Sequence, residues 1–254
     1  MCSSNITYRV FHNLFIRHGD PVEYAQKSAA LSQVGRLRSA ALAEQVACIF
    51  DFSPISEYLI AIWHSDRPRT IETAEVIQAS LLLIKAKLCA RKIRIVKDLQ
   101  HVRYMSPEKA LRPLLEVGVK KKKLYRTWIS APTEYLMGKN AKTPQEIELE
   151  VLKFLTEVTA YSETSGEISP IINIIVTSET TLGALARKRF PNQDIQAIGY
   201  CEMLRATIGL VGSKGLRQIE YEFRGDTCID NHLFEKCDPA GSRTQNTLLK
   251  RQVL

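Results

Sequence analysis

The segment Phe15-Ile16-Arg17-His18-Gly19-Asp20 decides the fold prediction, because ionisable residues follow directly after an apolar-leaning run. The run Tyr8–Ile16 is typical of a buried strand. Charged side chains are seldom buried without partners, and open α/β sheets bind ligands at the carboxyl ends of their strands. We therefore expect Arg17 and His18 to lie in a ligand site at the end of this strand.

Strands and helices alternate along the chain that follows. Apolar residues at helical spacing indicate helices at Leu31–Phe50, with Ser32 as its N-cap, and at Pro68–Lys87. Short apolar runs, which are typical of strands covered on both faces, are Leu59–Trp63, Lys92–Val96 and Ile171–Thr177. Further helices are predicted at Pro107–Val117, in a basic segment through Trp128, at Pro144–Tyr161 after a Thr143 cap, and at Thr180–Arg189.

A hairpin pattern occurs near the C-terminal end of the sequence. Met203–Val211 and Leu216–Phe223 alternate between apolar and polar residues, and Gly212–Gly215 would form the turn. Together these elements predict an α/β fold, a three-layer α/β/α sandwich with a mostly parallel central sheet and room for an antiparallel edge.

The domain organisation follows from the same pattern. We expect a single domain over residues 1–237. Residues 107–162 lie between two strands as a helical insertion, and such an insertion can form a cap that excludes water from a site. Residues 238–254 are polar and basic with little pattern, which predicts a flexible C-terminal tail.

Composition limits the kinds of partner. The chain has 35 Lys and Arg against 27 Asp and Glu, a net charge of +8, which favours anionic partners. Its densest basic run, Lys120–Lys123 with Arg126, is typical of a solvated face, so we expect no nucleic-acid partner. The sequence has no apolar run long enough for a membrane span and no secretory signal pattern, and we therefore expect a cytoplasmic protein.

The six cysteines are irregularly spaced, which predicts reduced thiols rather than a disulfide framework. Cys228, His232 and Cys237 are close enough in sequence to be considered as zinc ligands. Structural zinc sites usually need four ligands, so no metal site is predicted.

A second strand end has the same character as the first. After Leu59–Trp63 the chain reads His64-Ser65-Asp66-Arg67-Pro68-Arg69-Thr70. If the two strands are neighbours in a parallel sheet, Arg17, His18 and Arg69 converge on one pocket. Guanidinium groups match the oxygens of a phosphate, and a histidine between them can attack phosphorus. Gly19 would permit a tight turn, and a backbone carbonyl could fix the imidazole tautomer.

These residues resemble the Arg-His-Gly signature of the histidine phosphatase superfamily, which includes phosphoglycerate mutases and phosphohistidine phosphatases. Three further segments agree in order with the family. Leu31–Ala43 (LSQVGRLRSAALA) looks like its first helix, with Arg38 in place of a glutamine; Ser65–Ala74 (SDRPRTIETA) looks like its arginine segment; and Thr143–Leu155 (TPQEIELEVLKFL) resembles its late helix. The resemblance extends to about residue 215.

The resemblance implies a metal-independent reaction without a cofactor. His18 would take the phosphoryl group from a phosphomonoester or a phosphorylated side chain, forming a phosphohistidine that water hydrolyses. Arg17 and Arg69 would hold the phosphoryl oxygens, whose charge must be stabilised in the transition state. The partner is accordingly expected to be a phosphorylated small molecule or a phosphoprotein.

The sequence departs from the family at its second pocket histidine. Ser178 stands at that position, where we expect it to contact the substrate. Glu179 replaces the glycine that follows the histidine in the family. Losing one preorganised donor typically costs about 10²–10³ in rate. Glu179 would repel phosphate if it pointed inward, whereas an outward carboxylate would favour the helix dipole.

The general acid has several candidates. The family often has a carboxylic acid after the third strand, and here Asp98, His101 and Glu108 follow it, with Asp98 and Glu108 favoured. Asp20, beside the nucleophile, is a further candidate and a possible substrate contact.

Two functions remain open from the sequence. The first is a phosphatase that forms a phosphohistidine on His18. The second is a catalytically impaired family member that binds a phosphorylated ligand or protein as a regulatory module. A mutase is the least expected activity, because a pocket without its second histidine is poorly equipped to retain a phosphorylated enzyme. Substrate identity and oligomeric state are not indicated by the sequence.

Overall fold

The computed structural model describes residues 10–22, 30–53, 57–102, 120, 124–130, 142–164, 171–211 and 216–232. Eight strands occur in these ranges: β1 (Val10–Arg17), β2 (Tyr58–His64), β3 (Ile93–Ile95), β4 (Gln100–His101), β5 (Ile171–Thr177), β6 (Met203–Val211), β7 (Leu216–Phe223) and β8 (Asp226–His232). The same ranges contain five helices: α1 (Gln33–Ile49), α2 (Pro68–Lys87), α3 (Leu124–Ser130), α4 (Pro144–Thr164) and α5 (Glu179–Ala186).

The strands form one mixed sheet in the order β3-β2-β5-β1-β6-β7-β8, and β4 pairs with the end of β2. The strands β1 to β5 pair with one another in parallel. β6 pairs antiparallel with β1, and β7 and β8 extend this antiparallel edge. This confirms the predicted α/β fold with a mostly parallel sheet. β8 was not predicted, because its sequence is largely polar.

The hairpin that creates β8 has a two-residue turn. Arg224 and Gly225 connect β7 to β8, and both have positive φ values, 53° and 84°. Positive φ at both central residues is the geometry whose twist matches that of the flanking strands. Cys228 and His232 therefore lie on a strand, while Cys237 lies outside the described residues.

Helices cover both faces of the sheet. On one face, α1 and α2 pack against the sheet through residues such as Val46, Ile77 and Leu14, which are fully buried. On the other face, α3, α4 and α5 pack over the sheet through residues such as Trp128 and Val151. The three-layer α/β/α arrangement is thus confirmed.

The predicted caps Ser32 and Thr143 are those of the structure, whereas the helix predicted from Thr180 begins at Glu179. The hydroxyl of Ser32 accepts a hydrogen bond from Gly35 N at 3.0 Å and caps α1. At α4, Thr143 and Glu146 form a reciprocal pair, in which each side chain accepts a hydrogen bond from the backbone N–H of the other. This capping box satisfies two donors that a helix start otherwise leaves unpaired.

Some expectations concern residues that the structure does not describe. These are the helix Pro107–Val117, most of the basic run Lys120–Lys123, the turn Gly212–Gly215 and the tail at residues 238–254. In the insertion, the described helices α3 and α4 form part of the second helical layer. A single domain with a cap over the site stays a prediction. Over the residues searched, the structure contains no helix long and apolar enough to cross a membrane.

The topology places three strand ends side by side. β1 and β2 are not the direct neighbours considered from the sequence, because β5 lies between them. Arg17 of β1 is opposite Thr177 of β5, and His64 of β2 is opposite Val176 of β5. Because these strands are parallel, their carboxyl ends meet at one edge of the sheet. Residues that follow β1, β2 and β5 are therefore neighbours, although the sequence separates them widely.

Candidate active site

His18 lies at the centre of this edge, directly after β1. Its side chain is buried, with 3% of the residue exposed, and its backbone N–H donates to Thr177 O at 3.0 Å. Nδ1 lies 2.9 Å from the carbonyl oxygen of Gly19. Because a carbonyl only accepts hydrogen bonds, Nδ1 must carry the proton, which leaves the lone pair on Nε2.

The pKa of His18 is lowered to about 3, first by burial and then by the positive charge of Arg69. The hydrogen bond to Gly19 opposes this shift, while Arg17 and Arg67 add to it. The imidazole is therefore neutral at physiological pH. A neutral imidazole with a free Nε2 lone pair is the form that can act as a nucleophile.

The turn after His18 depends on a close approach between backbones. Gly19 N donates to Thr73 Oγ1 at 3.0 Å, which ties this turn to α2. A Cβ on Gly19 would lie 2.8 Å from Gly35 O, and one on Gly35 would lie 2.3 Å from Asp20 O. Both glycines are thus required because α1 contacts the turn, and not because the backbone is left-handed.

Arg17 is buried and held on three sides. Its Nη1 donates to the carbonyl oxygen of Ile198, and its Nη2 lies 2.9 Å from Glu179 Oε2. The guanidinium carbon lies 4.0 Å from the centre of the Tyr200 ring, a cation–π contact. The Nε of Arg17 is buried and has no hydrogen-bond partner within the described part of the protein.

Two more arginines come from the start of α2. Arg67 is the N-cap residue of this helix and Arg69 is its second residue. Burial lowers the pKa of Arg69, followed by the charges of Arg67 and, less strongly, Arg17, while Tyr200 and Glu179 oppose the shift. The charges of both Arg69 and Arg67 lower the pKa of His18.

We call Arg17, Arg67 and Arg69 the arginine cluster. The charges of Arg67 and Arg17 lower the pKa of Arg69, and all three arginines lower the pKa of His18. Such like charges raise the free energy of the site unless an anion binds there. The Nε of Arg69, like that of Arg17, is buried without a partner among the described residues. An unpaired buried donor costs free energy, so the arginine cluster is suited to an anion.

The position of the missing second histidine is also at this edge. Ser178 is buried, and its Oγ lies 2.6 Å from Thr180 Oγ1. Ser178 is the N-cap residue of α5, but its side chain makes no capping hydrogen bond. Its hydroxyl is therefore already engaged within its own turn.

Glu179 points inward. Its carboxylate pairs with Arg17, and its charge opposes the lowering of the Arg69 pKa. The same charge raises the pKa of Tyr125, after the larger effect of burial. Of the two orientations considered from the sequence, the structure thus shows the one that faces the cluster.

The other predicted site residues lie elsewhere. Both carboxylate oxygens of Asp20 accept from Arg38 Nη1, at 2.9 and 3.0 Å, so Arg38 engages Asp20 in the place of the family's glutamine. Asp98 is exposed between β3 and β4, and within the described part of the chain its side chain makes no hydrogen bond or ion pair with His18. The backbone of His101, in β4, pairs with that of His64, in β2. Glu108 lies outside the described residues.

The sequence analysis missed Tyr200 as a site residue. Its ring supports Arg17 and lies 5.6 Å, centre to centre, from the ring of His18. A lone tyrosine in the loop before β6 has no motif around it, so no local signal marked it. The strand pairing of β1 with β6 brings this loop to the site.

No metal-binding group of three or more His, Cys, Asp or Glu residues occurs in the ranges that the structure describes. Cys48, Cys89, Cys201 and Cys228 are free thiols, whereas Cys2 and Cys237 are outside those ranges.

No known family profile matches the sequence, and no curated protein matches it. Solved structures do resemble the fold. A mycobacterial glucosyl-3-phosphoglycerate phosphatase is 14% identical with a TM-score of 0.46, covering 84% of this chain and 97% of its own. A phosphoglycerate mutase from Bacillus anthracis is 13% identical with a TM-score of 0.46, covering 89% and 94%.

A third similar structure is a phosphoserine phosphatase from Entamoeba histolytica in complex with phosphoserine. It is 10% identical with a TM-score of 0.43, covering 86% of this chain and 94% of its own. The solved structures found include members of the histidine phosphatase superfamily, the family that the sequence motifs resemble. With TM-scores below 0.5, these likenesses support no argument about activity, which has to rest on the site itself.

Proposed function

We propose that this protein is a phosphatase of the histidine phosphatase superfamily, which hydrolyses a phosphomonoester or a phosphorylated side chain. The proposal rests on His18, a buried neutral imidazole whose Nδ1–H is held by Gly19 and on which three arginines act. This arrangement directs the Nε2 lone pair to an anion bound by the arginine cluster. A solvated strand end would require none of these features.

In the first step, Nε2 of His18 attacks phosphorus. The N–P bond forms as the ester P–O bond breaks, and the leaving oxygen takes a proton from an acid or from water. Arg69 and Arg17 stabilise the charge on the phosphoryl oxygens in the transition state. Water then attacks the phosphohistidine, which releases inorganic phosphate and returns the lone pair to Nε2.

The proton donor to the leaving oxygen stays a prediction, with Asp98 and Glu108 as candidates. An aryl phosphate has a good leaving group, so its hydrolysis depends little on a general acid. It therefore tests the nucleophile and the arginine cluster separately from the unassigned acid.

The test is hydrolysis of p-nitrophenyl phosphate by the purified full-length chain. We expect turnover that disappears in His18→Ala, together with an acid-labile phosphoryl group on the wild-type enzyme alone. His64→Ala is the matched control, because His64 also places Nδ1 2.8 Å from the next carbonyl, that of Ser65, at a neighbouring strand end. Equal turnover in wild type and His18→Ala would overturn the proposal.

One observation favours the second candidate function, a regulatory module that binds a phosphorylated ligand without turning it over. Arg17 already has a carboxylate partner, and Ser178 offers a hydroxyl that is engaged with Thr180. If the protein is a binding module, tungstate should raise the melting temperature of the wild type but not of Arg69→Ala, with no turnover in either. Turnover that depends on His18 would exclude this candidate.

A further inference from the structure

Glu179 has no role in the proposed reaction, yet its carboxylate contacts the arginine cluster. Its Oε2 lies 2.9 Å from Arg17 Nη2, and 30% of its side chain is exposed. A carboxylate offers an arginine the same kind of paired oxygen acceptors that a phosphoryl group offers. Glu179 and a bound phosphoryl group would therefore use the same donors.

Both terminal nitrogens of Arg17 are already engaged while Glu179 is in place. Nη1 donates to the Ile198 carbonyl, Nη2 faces Glu179, and the ring of Tyr200 covers one face of the guanidinium. Nε is the donor for which the described residues provide no partner. Arg69 differs, because no ion pair with a carboxylate is found for it among the described contacts and its Nε is also unpaired.

The negative charge of Glu179 also offsets one of the positive charges that attract an anion to the site. Its charge reaches Arg69 as well as Arg17. Because the site is partly buried, charges within a few ångströms are screened less than at a protein surface. An incoming phosphoryl dianion would thus meet a like charge at the donor that it needs.

From these contacts we infer that Glu179 competes with the ligand for Arg17 and thereby lowers the affinity of the site for phosphoryl dianions. Arg69 is then the main phosphate contact, and Arg17 contributes only when the carboxylate has moved aside. The inference rests on the proposed phosphate site at His18 and assigns the residue that limits binding there.

Glu179→Gln tests this directly, because the amide keeps the size of the side chain and removes its charge. We expect the Kd for tungstate and for inorganic phosphate, measured by calorimetry at constant ionic strength, to fall about tenfold. That factor is at the lower end of what a hydrogen bond to a charged group contributes. Arg17 should stay in place in this variant, because Ile198 and Tyr200 still hold it.

Glu44→Gln is the matched control. Glu44 is exposed on α1, and its substitution changes the net charge by the same single unit. We expect its Kd to stay within about twofold of the wild-type value, since exposed charges far from a site are screened. A tenfold gain in both variants would show a general charge effect and would overturn the inference.

A double-mutant cycle separates competition from a structural effect. Arg17→Lys keeps a positive charge but removes the fork that pairs with Glu179. We expect this change to weaken tungstate binding only slightly in the wild-type background and about tenfold more in the Glu179→Gln background. Equal losses in the two backgrounds would contradict the competition.

The outcomes also distinguish this inference from the proposed function. Tighter tungstate binding by Glu179→Gln without any turnover would support the competition and refute the phosphatase. Turnover that depends on His18, with an unchanged Kd in Glu179→Gln, would support the phosphatase and refute the competition. If neither the wild type nor Glu179→Gln binds tungstate at millimolar concentration, the inference is refuted, because Glu179 is not what limits binding.

Discussion

Gly19 and Gly35 bring two backbones into contact: a Cβ on Gly19 would lie 2.8 Å from the carbonyl oxygen of Gly35. The first glycine follows the proposed nucleophile, and the second is in the first turn of α1. The position of the His18 turn therefore depends on how closely this helix can approach it.

We expect Gly19→Ala to lower the free energy of unfolding by about 1–3 kcal/mol, because the added methyl group overpacks a rigid contact. Aryl phosphate turnover should fall as well, since the turn that holds His18 must shift. Urea unfolding and the hydrolysis assay measure the two effects. Gly209→Ala is the control, because no heavy atom lies within 4 Å of its added Cβ, and a loss of similar size there would argue against the contact.

The lowered pKa of His18 makes stability depend on pH. In the folded protein its pKa is about 3, and in the unfolded chain it returns to 6.5. Between these values the unfolded chain binds more protons, so the free energy of unfolding decreases as the pH falls below 6.5. His12, with a pKa of about 4 caused first by burial, contributes with the same sign.

We therefore expect the wild type to lose stability between pH 7 and pH 5, and His18→Asn to lose less over the same interval because asparagine does not titrate. Urea unfolding at the two pH values gives both losses. His12 is present in both proteins, so it cancels in the comparison. An identical loss in the variant would mean that His18 is not held neutral by the fold.

Arg189, which follows α5, connects α4 to β8 at the edge of the sheet. Its Nη2 lies 2.9 Å from Glu148 Oε1 in α4 and 2.7 Å from Asp230 Oδ2 in β8, and only 4% of its side chain is exposed. We expect Arg189→Ala to destabilise the fold by about 3–5 kcal/mol, because two carboxylates lose their shared partner.

The exposed pair of Arg38 and Asp20 provides the comparison for this prediction. The Arg38 side chain is 54% exposed, so Arg38→Ala should cost less than about 1 kcal/mol. Urea unfolding of the two variants in one buffer compares them. Costs of equal size would show that burial does not distinguish the two ion pairs.

The double substitution Ser178→His with Glu179→Gly reintroduces the residue types that the family has at these positions. We expect its kcat/KM for p-nitrophenyl phosphate to exceed that of Ser178→Ala with Glu179→Gly by at least about tenfold, because one preorganised donor is typically worth about 10²–10³ in rate. Ser178→Ala with Glu179→Gly is the control, since it removes the same carboxylate without adding a donor. A rise of equal size in the control would assign the gain to the loss of Glu179 alone.

Local patterns in the sequence were sufficient for most of the architecture. The apolar runs predicted β1, β2 and β5, and helical spacing with its caps predicted α1 and α4, because burial against one layer imposes a short-range period on the chain. β8 was missed because its sequence carries no such apolar period. Its residues are mostly polar, and what makes it a strand is pairing with β7 across the Arg224-Gly225 turn.

The features of the candidate site also fall into two groups, those that the sequence indicated and those that only the tertiary structure decided. The sequence by itself indicated that Arg17, His18 and Arg69 follow strand ends, and the carboxyl ends of parallel strands lie at one edge of a sheet. The strand order, with β5 between β1 and β2, was decided by the tertiary structure. Only the tertiary structure decided that Glu179 faces Arg17 and that Tyr200 supports it. These contacts join residues more than 150 positions apart, and the direction of a side chain depends on the neighbours that packing provides.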